Sequence, residues 1–382
     1  MNPAEAVITI DDIIPPSARS DLLTPAVVIA RDRVRSNIAW IIDTLGGDPD
    51  RWRPHAKTTK IPSLYAMLAE AGVRAFKCAT TREARCLLGA LSEAGVDDVD
   101  LLAAYPWRGP ALRSLETLAG THPNARLSVI VEDVAVLDEV PAEVDVFVDV
   151  NPGMNRTGIP VADVDLIRGV AAAAGSRFRG VHYYDGHITA GAPAARAQRA
   201  FEAYDRLCPV LETLERDGRV IDEVITSGTP TFRAGVDYPR FRSRWRHRVS
   251  PGTVVLHDQR SAEEVPELAL EPAAFVFTRV ISHPAPGIVT TDAGSKSIAA
   301  EAGDPCAAVF GHPHLEALAP SEEHLPLRVH RGPPPPRDAE LLLVPRHVCP
   351  TINLAESVVL VEGGRVVGVE PVAARARDLR CS

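Results

Sequence analysis

Lys57 offers a reactive amine in a position where an amine can do chemistry. It lies in the segment RPHAKTTK, two residues after His55, at the end of a strand-like run. A lysine amine in a partly desolvated pocket can lose its proton and attack an aldehyde. A lysine at a strand end is, however, more often a solvated surface residue, and His55 is as readily a packed histidine. Lys57 is therefore a candidate nucleophile that needs support from other segments.

Two segments rich in small residues are candidates for holding a phosphate. In TSGTPT, residues 226–231, Gly228 and Thr229 carry backbone N–H groups that could cradle a phosphate, although the segment could also form a simple tight turn. In SPGT, residues 250–253, Gly252 adds a further amide donor. Because barrel enzymes often bind phosphate after their last two strands, the two segments together predict a phosphate site.

Arg156 and Tyr184 are two further candidates for contacting a ligand. Arg156 lies in the glycine-bounded loop DVNPGMNRTGI, and Tyr184 lies in HYYDGH beside Asp185. A guanidinium does not deprotonate, so an arginine facing a pyridine nitrogen would keep that nitrogen unprotonated. Pairing with a loop carboxylate is the alternative for Arg156, and a place in the core is the alternative for Tyr184.

His347 and Cys349 form a candidate metal pair in PRHVCPT, residues 345–351. On an extended segment, side chains two residues apart point the same way. Imidazole and thiolate are good ligands for zinc and similar divalent ions. Two protein ligands do not complete a site, so water and substrate would take the other positions, as a catalytic metal requires.

The elements that would position these residues follow from the pattern of apolar runs. Short runs rich in apolar and β-branched residues alternate with amphipathic stretches, which is typical of βα units around a parallel sheet. The predicted strands lie at 52–57, 75–80, 99–105, 126–132, 144–150, 178–184, 221–227 and 248–256. Eight units predict an α/β fold, a (β/α)8 TIM-like barrel, with functional residues at the C-terminal ends of its strands.

After about residue 260 the chain changes to strand-like runs broken by proline and glycine, which predicts a second, β-rich C-terminal domain. The strand and helix pattern that precedes the first barrel strand could cross over to that domain. The predicted limits are 1–25 for an N-terminal segment joining the β domain, 26–258 for the barrel, and 259–382 for the β-rich domain that carries the metal pair.

Composition excludes several other classes of protein. The 382 residues are 46% hydrophobic and 24% charged, which is ordinary for a globular chain. The net charge of −9 and the scattered arginines argue against a nucleic-acid partner. No apolar run approaches the ~20 residues that span a bilayer, and the N-terminus does not resemble a secretion signal. We therefore expect no membrane partner and a cytoplasmic location.

Taken together, the segments resemble the D-threonine aldolase and D-serine dehydratase family, whose N-terminal part has the alanine racemase barrel, termed fold type III. The resemblance runs from DLLTPAVVIARDRVRSNI to HVCPTINL. In that family the first lysine of an RPHxKTHK segment carries pyridoxal 5'-phosphate as a Schiff base, and this lysine is Lys57 here. The family's second histidine is Thr59 in this chain. The resemblance also implies that His55, Arg156, Tyr184, Gly228, Thr229 and Gly252 bind the cofactor.

The resemblance implies a lyase that acts on small D-β-hydroxy-α-amino acids and needs pyridoxal phosphate and a divalent metal, namely zinc, manganese or magnesium. Cleavage of D-threonine to glycine and an aldehyde is the first candidate reaction, with Lys57, His347 and Cys349 as catalytic residues. Dehydration of D-serine or D-3-hydroxyaspartate to a 2-keto acid and ammonia is the alternative. A histidine and cysteine pair is typical of the dehydratases and favours zinc, whereas YDGHI and SGTPTF are closer to the aldolases.

Two other classes fit less well. A racemase in this fold needs a second base and no metal, and a non-catalytic cofactor carrier lacks a C-terminal β domain. The family members are homodimers in which the β domain of one subunit faces the barrel mouth of the other. The resemblance therefore implies a homodimer for this chain.

Overall fold

The computed structural model describes residues 9–380. In chain order its strands are β1 (Ala26–Ala30), β2 (Ala75–Cys78), β3 (Asp100–Ala103), β4 (Arg126–Val131), β5 (Asp145–Asn151), β6 (Ile159–Pro160), β7 (Phe178–Tyr183), β8 (Glu223–Thr226), β9 (His247–Val249), β10 (Ala274–Ala285), β11 (Ile288–Thr291), β12 (Ala307–Val309), β13 (Leu315–Ala317), β14 (Leu325–Val329), β15 (Glu340–Pro345), β16 (Ser357–Glu362) and β17 (Arg365–Pro371).

The α-helices are α1 (Pro16–Arg19), α2 (Arg31–Thr44), α3 (Pro62–Glu70), α4 (Thr81–Glu93), α5 (Pro110–Thr121), α6 (Val164–Ala174), α7 (Pro193–Arg216), α8 (Phe232–Asp237), α9 (Pro239–Arg244), α10 (Gln259–Glu264) and α11 (Val348–Leu354). Several begin where the sequence provides a cap or a proline. The Thr80 side chain accepts the Glu83 amide at the start of α4, and Pro193 occupies the first turn of α7. Within residues 9–380, no helix combines the length and the apolar character needed to cross a bilayer.

Seven parallel strands form the barrel sheet in the order β2-β3-β4-β5-β7-β8-β9. The first predicted strand closes the ring, because Trp52 pairs with Val249 of β9 and His55 pairs with Lys77 of β2. This segment forms isolated bridges instead of a regular strand. Pro54 has no N–H to donate to a ladder, although its carbonyl accepts the amide of Lys77. The predicted eight-stranded α/β barrel is confirmed.

The last barrel strand is shorter than predicted. We expected strand structure over 248–256, whereas β9 ends at Val249 and residues 253–255 form a 3-10 turn. Pro251 and Gly252 follow the strand, and both disfavour a continued ladder. Inside the barrel, an apolar cluster joins strands that are not all adjacent in sequence; it consists of Leu102, Ile130, Phe147 and Ile225.

The β-rich unit contains a closed antiparallel barrel, as the strand order β11-β14-β13-β12-β15-β10 is completed by pairing between β10 and β11. On its other side β10 pairs with β1, which in turn pairs in parallel with β16. The β16–β17 hairpin turns at Gly363 and Gly364, whose positive φ values suit a tight turn. The core of the β-rich unit includes Val28, Phe277, Leu342 and Val359. The predicted second β-rich domain is confirmed.

Contacts divide the chain into two compact units. Of the described residues, one unit comprises 9–38 together with Thr253–Arg375, and the other comprises Ala39–Gly252 together with 376–380. The N-terminal part extends further into the β-rich unit than the proposed limit of 25, because β1 pairs with β10 and β16. Residues 1–8 of the proposed N-terminal segment lie outside the described residues.

Candidate active site

The predicted barrel residues all follow strand ends at the same edge of the parallel sheet. Lys57 lies in the turn after the first segment, and Tyr184 directly follows β7. Arg156 comes from the loop after β5, Gly228 follows β8, and Gly252 follows β9. Since the strands are parallel, this edge is the C-terminal edge, where barrel enzymes place their functional groups.

Tyr184 is the centre of the cluster. The guanidinium carbon of Arg156 lies 4.8 Å from the centroid of its ring, and the Nζ of Lys77 lies 5.2 Å from it. The His182 ring is nearly parallel to the Tyr184 ring, with 6.4 Å between centroids. A Cβ added to Gly228 would lie 2.8 Å from the Tyr184 hydroxyl oxygen, so only glycine leaves room for this tyrosine.

The turn that carries Lys57 packs against the exit of β9. The Lys57 amide donates to Nδ1 of His55 over 3.3 Å. A Cβ on Gly252 would lie 3.0 Å from both the His55 carbonyl oxygen and the Thr58 hydroxyl oxygen, so this glycine permits the close approach. Burial, together with the charge of Lys57, holds the pKa of His55 well below its usual range. His55 is therefore neutral and acts as an acceptor. In the same turn Thr59, at the family's histidine position, is buried, and its hydroxyl donates to the Ala56 carbonyl.

The loop after β8 is held by a buried carboxylate. Asp185 accepts hydrogen bonds from the hydroxyls of Tyr204 and Thr231, each over 2.6 Å, and from the Gly228 amide over 3.2 Å. Burial raises the pKa of Asp185 despite these donors. Because the Gly228 amide is engaged within the protein, the amides of Thr229 and Gly252 are the predicted phosphate donors that have no hydrogen-bond partner in the described part of the chain.

Sequence reasoning missed a buried relay below the rim. The Nζ of Lys77 lies 3.2 Å from Nε2 of His182, and Nδ1 of His182 lies 2.7 Å from a carboxylate oxygen of Asp149. All three side chains are buried. Burial, together with the charge of Lys57, lowers the pKa of Lys77 to about 7. The signal in the sequence was a charged residue within an apolar strand, as in AFKC for Lys77.

The protonation states in the relay follow from its geometry. Burial lowers the pKa of His182 as well, and the neighbouring Lys77 adds to that effect. Burial alone would raise the pKa of Asp149, but the hydrogen bond from His182 keeps it below its usual value. Asp149 is therefore ionised and accepts the Nδ1–H of a neutral His182, which leaves Nε2 to accept from Lys77.

Ser250 is a second group that sequence reasoning did not single out. It follows β9 directly, and its buried hydroxyl has no hydrogen-bond partner within residues 9–380. Buried hydroxyls in proteins are normally satisfied, so an unpartnered one beside the site residues points to a ligand atom that completes it.

The candidate metal pair, His347 and Cys349, lies in the β-rich unit, on a helix start and not on an extended segment. His347 is the N-cap of α11 and Cys349 lies in its first turn, because the Val348 amide is capped by a carboxylate oxygen of Asp258 over 3.0 Å. The two side chains still meet, and the hydrogen bond between them raises the pKa of His347. Nδ1 of His347 also lies 3.1 Å from Glu301. In the described residues, no group of three or more His, Cys, Asp or Glu side chains suits a metal ion.

Two family models match the chain in succession. Residues 29–258 match the model described as alanine racemase, N-terminal domain, and residues 273–361 match the putative serine dehydratase domain. The first match contains Lys57 and the other barrel residues of the site, and the second contains His347 and Cys349. The chain is therefore an enzyme of the alanine racemase barrel class.

Individual relatives narrow this class. D-threonine aldolase from Arthrobacter sp is 30% identical over 375 residues, which is 94% of both chains. A 3-hydroxy-D-aspartate aldolase from Paracoccus denitrificans (strain Pd 1222) is 26% identical over 95% of both chains. The structure of D-threonine aldolase from Filomicrobium marinum has a TM-score of 0.82 at 28% identity, covering 93% of this chain and 96% of that one. The chain belongs to the D-threonine aldolase and D-serine dehydratase family, and it is a lyase.

Proposed function

We propose that this chain is a pyridoxal phosphate- and divalent metal-dependent lyase of D-β-hydroxy-α-amino acids, and that it cleaves D-threonine-like substrates into glycine and an aldehyde. The observation that carries the proposal is that Lys57, Tyr184 and Arg156 all follow strand ends at one rim of a racemase-type barrel, with Arg156 against the Tyr184 ring. The similarity over nearly the full length of two aldolases supports the same reaction.

The barrel residues fit pyridoxal phosphate. Gly228 and Gly252 permit the close approach of Tyr184 and of the Lys57 turn at this rim, where a Cβ would clash, and the Ser250 hydroxyl is buried without a partner among residues 9–380. Lys57 would attach the aldehyde carbon, and the amides of Thr229 and Gly252 would bind the phosphate. Arg156 and Tyr184 would contact the ring, while His55 supports the turn of Lys57 as a neutral acceptor.

The chain's own residues would control proton transfer around this group. When bound, the cofactor supplies an electron sink for the bond that breaks next to Cα. The Lys57 amine, when not attached to the cofactor, would hold a proton at Nζ and return it. His347 and Cys349 would hold the metal, whose Lewis acidity lowers the pKa of a bound hydroxyl. Because thiolate and imidazole are ligands that zinc prefers, we propose zinc before manganese or magnesium.

A product assay tests the reaction. The purified protein, supplemented with pyridoxal phosphate and zinc, is incubated with D-threonine and, separately, with D-serine. We expect glycine and acetaldehyde from D-threonine. Lys57→Ala is expected to lose the visible absorbance of the bound cofactor and to reduce turnover by roughly a thousandfold or more. Retention of that absorbance in Lys57→Ala would overturn the cofactor assignment.

Dehydration is the second candidate reaction, because the match to the putative serine dehydratase domain contains the histidine and cysteine pair. Ammonia and a 2-keto acid, without glycine, would move the assignment to D-serine or D-3-hydroxyaspartate dehydration. Metal analysis of Cys349→Ala, with Cys86→Ala as the matched control, tests the metal ligand. We expect zinc to be lost only from Cys349→Ala.

The assembly and location are proposed on the family resemblance. We propose a cytoplasmic homodimer whose partners are small D-amino acids, without a nucleic-acid or membrane partner. Light scattering of the purified full chain measures the assembly, and a monomer at micromolar concentration would contradict it.

A further inference from the structure

The relay below the rim has no part in the reaction as proposed so far. Lys77 is 2% exposed, and the one hydrogen bond of its side-chain amine among the described residues is to Nε2 of His182. An amine carries at least two N–H groups, so at least one donor of Lys77 is unused. Leaving a buried donor unsatisfied costs free energy unless a ligand completes it. The amine also lies 5.2 Å from the Tyr184 ring, at the centre of the site.

The charges around Tyr184 do not balance. Lys57, Lys77 and Arg156 supply three basic groups. Within residues 9–380, the carboxylate that the relay brings to Lys77 is Asp149, which acts through His182. Lys77 is buried, Lys57 is half-buried and Arg156 is exposed, so this excess of basic groups around one carboxylate is suited to an anionic ligand.

The position of Lys77 indicates which anionic atom of the proposed cofactor would accept its hydrogen bond. His55, two residues before Lys57, pairs with Lys77 of β2, and the charge of Lys57 lowers the pKa of Lys77, so the two lysines lie in neighbouring segments of the barrel. In pyridoxal phosphate, the carbon that carries the aldehyde adjoins the carbon that carries the 3-hydroxyl. A second amine near the attachment lysine is therefore near that oxygen. The phosphate donors Thr229 and Gly252 belong instead to the exits of β8 and β9.

We propose that Lys77, held by His182 and Asp149, donates a hydrogen bond to the anionic 3-oxygen of the pyridine ring of pyridoxal phosphate. This inference rests on the proposed cofactor and adds a binding residue to its site. His182 and Asp149 are positioning residues, because they act on the ligand through Lys77.

Binding of two ligands tests the inference. The dissociation constants of pyridoxal 5'-phosphate and of its 3-O-methyl ether are measured with the full-length wild type, Lys77→Met and the surface control Lys296→Met. We expect Lys77→Met to bind pyridoxal phosphate roughly 10- to 100-fold more weakly, because a charged hydrogen bond is lost. The methyl ether has no anionic oxygen, so the two proteins should bind it equally. Lys296 is exposed and paired with Glu322, so its variant should match the wild type.

Thermal unfolding of the cofactor-free proteins distinguishes a binding role of Lys77 from a purely structural one. Methionine fills the space of a buried lysine without its desolvation, so Lys77→Met should not lower the unfolding temperature. If that variant fails to fold, Lys77→Gln, which keeps a polar group for His182, carries the same expectation. Asp149→Asn should weaken binding in the same direction by a smaller factor.

The outcomes distinguish this inference from the proposed function. Equal loss of affinity for both ligands, or unchanged affinity for pyridoxal phosphate, would overturn the role of Lys77 alone. Unchanged cofactor affinity with a raised KM would assign Lys77 to the substrate carboxylate and would also overturn it. Failure of the wild type to bind pyridoxal phosphate at all would overturn the proposed function and this inference together.

Discussion

Two layers of buried charge lie inside the barrel, and they differ in how their charges are compensated. Near the N-terminal ends of the strands, Arg53 donates two 2.8 Å hydrogen bonds to the Glu223 carboxylate and two more, of 2.8 and 3.2 Å, to the Asp100 carboxylate. Arg179 reaches Asp100 over 2.7 Å, and Arg248 contacts Glu223. Burial alone would raise the pKa of Asp100 and Glu223, but the arginines hold both below their usual range.

The layer near the C-terminal ends is different. Lys77 has a donor that no described residue accepts, and its carboxylate, Asp149, is one residue removed through His182. In the first layer every arginine contacts a carboxylate directly, so its charges are compensated within the protein and we call it the closed layer, although the buried Nε of Arg179 has no hydrogen-bond partner in the described residues. The second layer is incomplete, which makes it less favourable when empty and suited to a ligand. From this contrast we expect the N-terminal end of the barrel to contribute stability and the C-terminal end to bind the ligand.

Removal of one charge from the closed layer should have the largest effect on stability. Glu223→Gln leaves Arg53 and Arg248 without a full counter-charge in a buried site, so we expect the free energy of unfolding to fall by about 3–5 kcal/mol. Urea unfolding of the cofactor-free protein measures this. Exposed Glu93→Ala is the control and should change stability by less than about 0.5 kcal/mol. A similarly small effect for Glu223→Gln would remove the distinction between the layers.

Removal of the Lys77 charge from the incomplete layer should raise the free energy of unfolding, in contrast to Glu223→Gln, and by an amount that depends on pH. Since the pKa of Lys77 falls from 10.5 to about 7 on folding, the unfolded chain binds one more proton between these values, and stability rises with pH there. Lys77→Met should therefore be more stable than the wild type near pH 7, with the difference shrinking by up to about 1.4 kcal/mol per pH unit towards pH 9. Urea unfolding of both cofactor-free proteins at pH 7, 8 and 9 measures it. A constant difference would contradict a neutralised buried amine, and Lys296→Met should show no such trend.

The contrast also explains which features could be predicted from the sequence. The barrel strands are buried on both faces, so their apolar runs were visible, and strand ends revealed Lys57, Arg156 and Tyr184. The relay was not visible, because Lys77, Asp149 and His182 meet only when β2, β5 and β7 close into a ring. Register places Asp149 opposite His182, and no local pattern encodes that register.

The candidate metal pair shows the same limit of prediction from sequence within a single segment. The spacing of His347 and Cys349 predicted a meeting of side chains, and they do meet. The reason for it was wrong, since the segment starts a helix. Asp258, 90 positions away from Val348, caps that helix, and this distant partner could not be inferred from HVCPT.

A methyl group at the rim should disturb binding more than folding. In Gly228→Ala the new Cβ would lie 2.8 Å from the Tyr184 hydroxyl oxygen, so the tyrosine must shift. We expect a stability loss of about 1–2 kcal/mol and weaker pyridoxal phosphate binding, measured by urea unfolding and by titration. Gly89 in α4 has open space around it, so Gly89→Ala should be neutral or slightly stabilising. Normal cofactor affinity in Gly228→Ala would argue against Tyr184 as a contact of the ring.

The smallest expected effect tests whether an empty site costs stability. The Ser250 hydroxyl is buried and has no partner among residues 9–380, so Ser250→Ala removes an unsatisfied polar group. We expect the cofactor-free variant to gain up to about 1 kcal/mol in free energy of unfolding, because no hydrogen bond is lost with the hydroxyl. Its affinity for pyridoxal phosphate should fall by roughly 3- to 10-fold, as expected for loss of a neutral hydrogen bond.

Ser128 is the matched control. It is also buried, but its hydroxyl accepts a hydrogen bond from Arg179 over 2.9 Å in the closed layer, so Ser128→Ala should lower stability and leave the cofactor affinity unchanged. Stability changes of opposite sign in the two variants would show that a buried serine hydroxyl stabilises the fold at one end of the barrel and binds the ligand at the other. Stability changes of the same sign would show that the layers do not differ in this way.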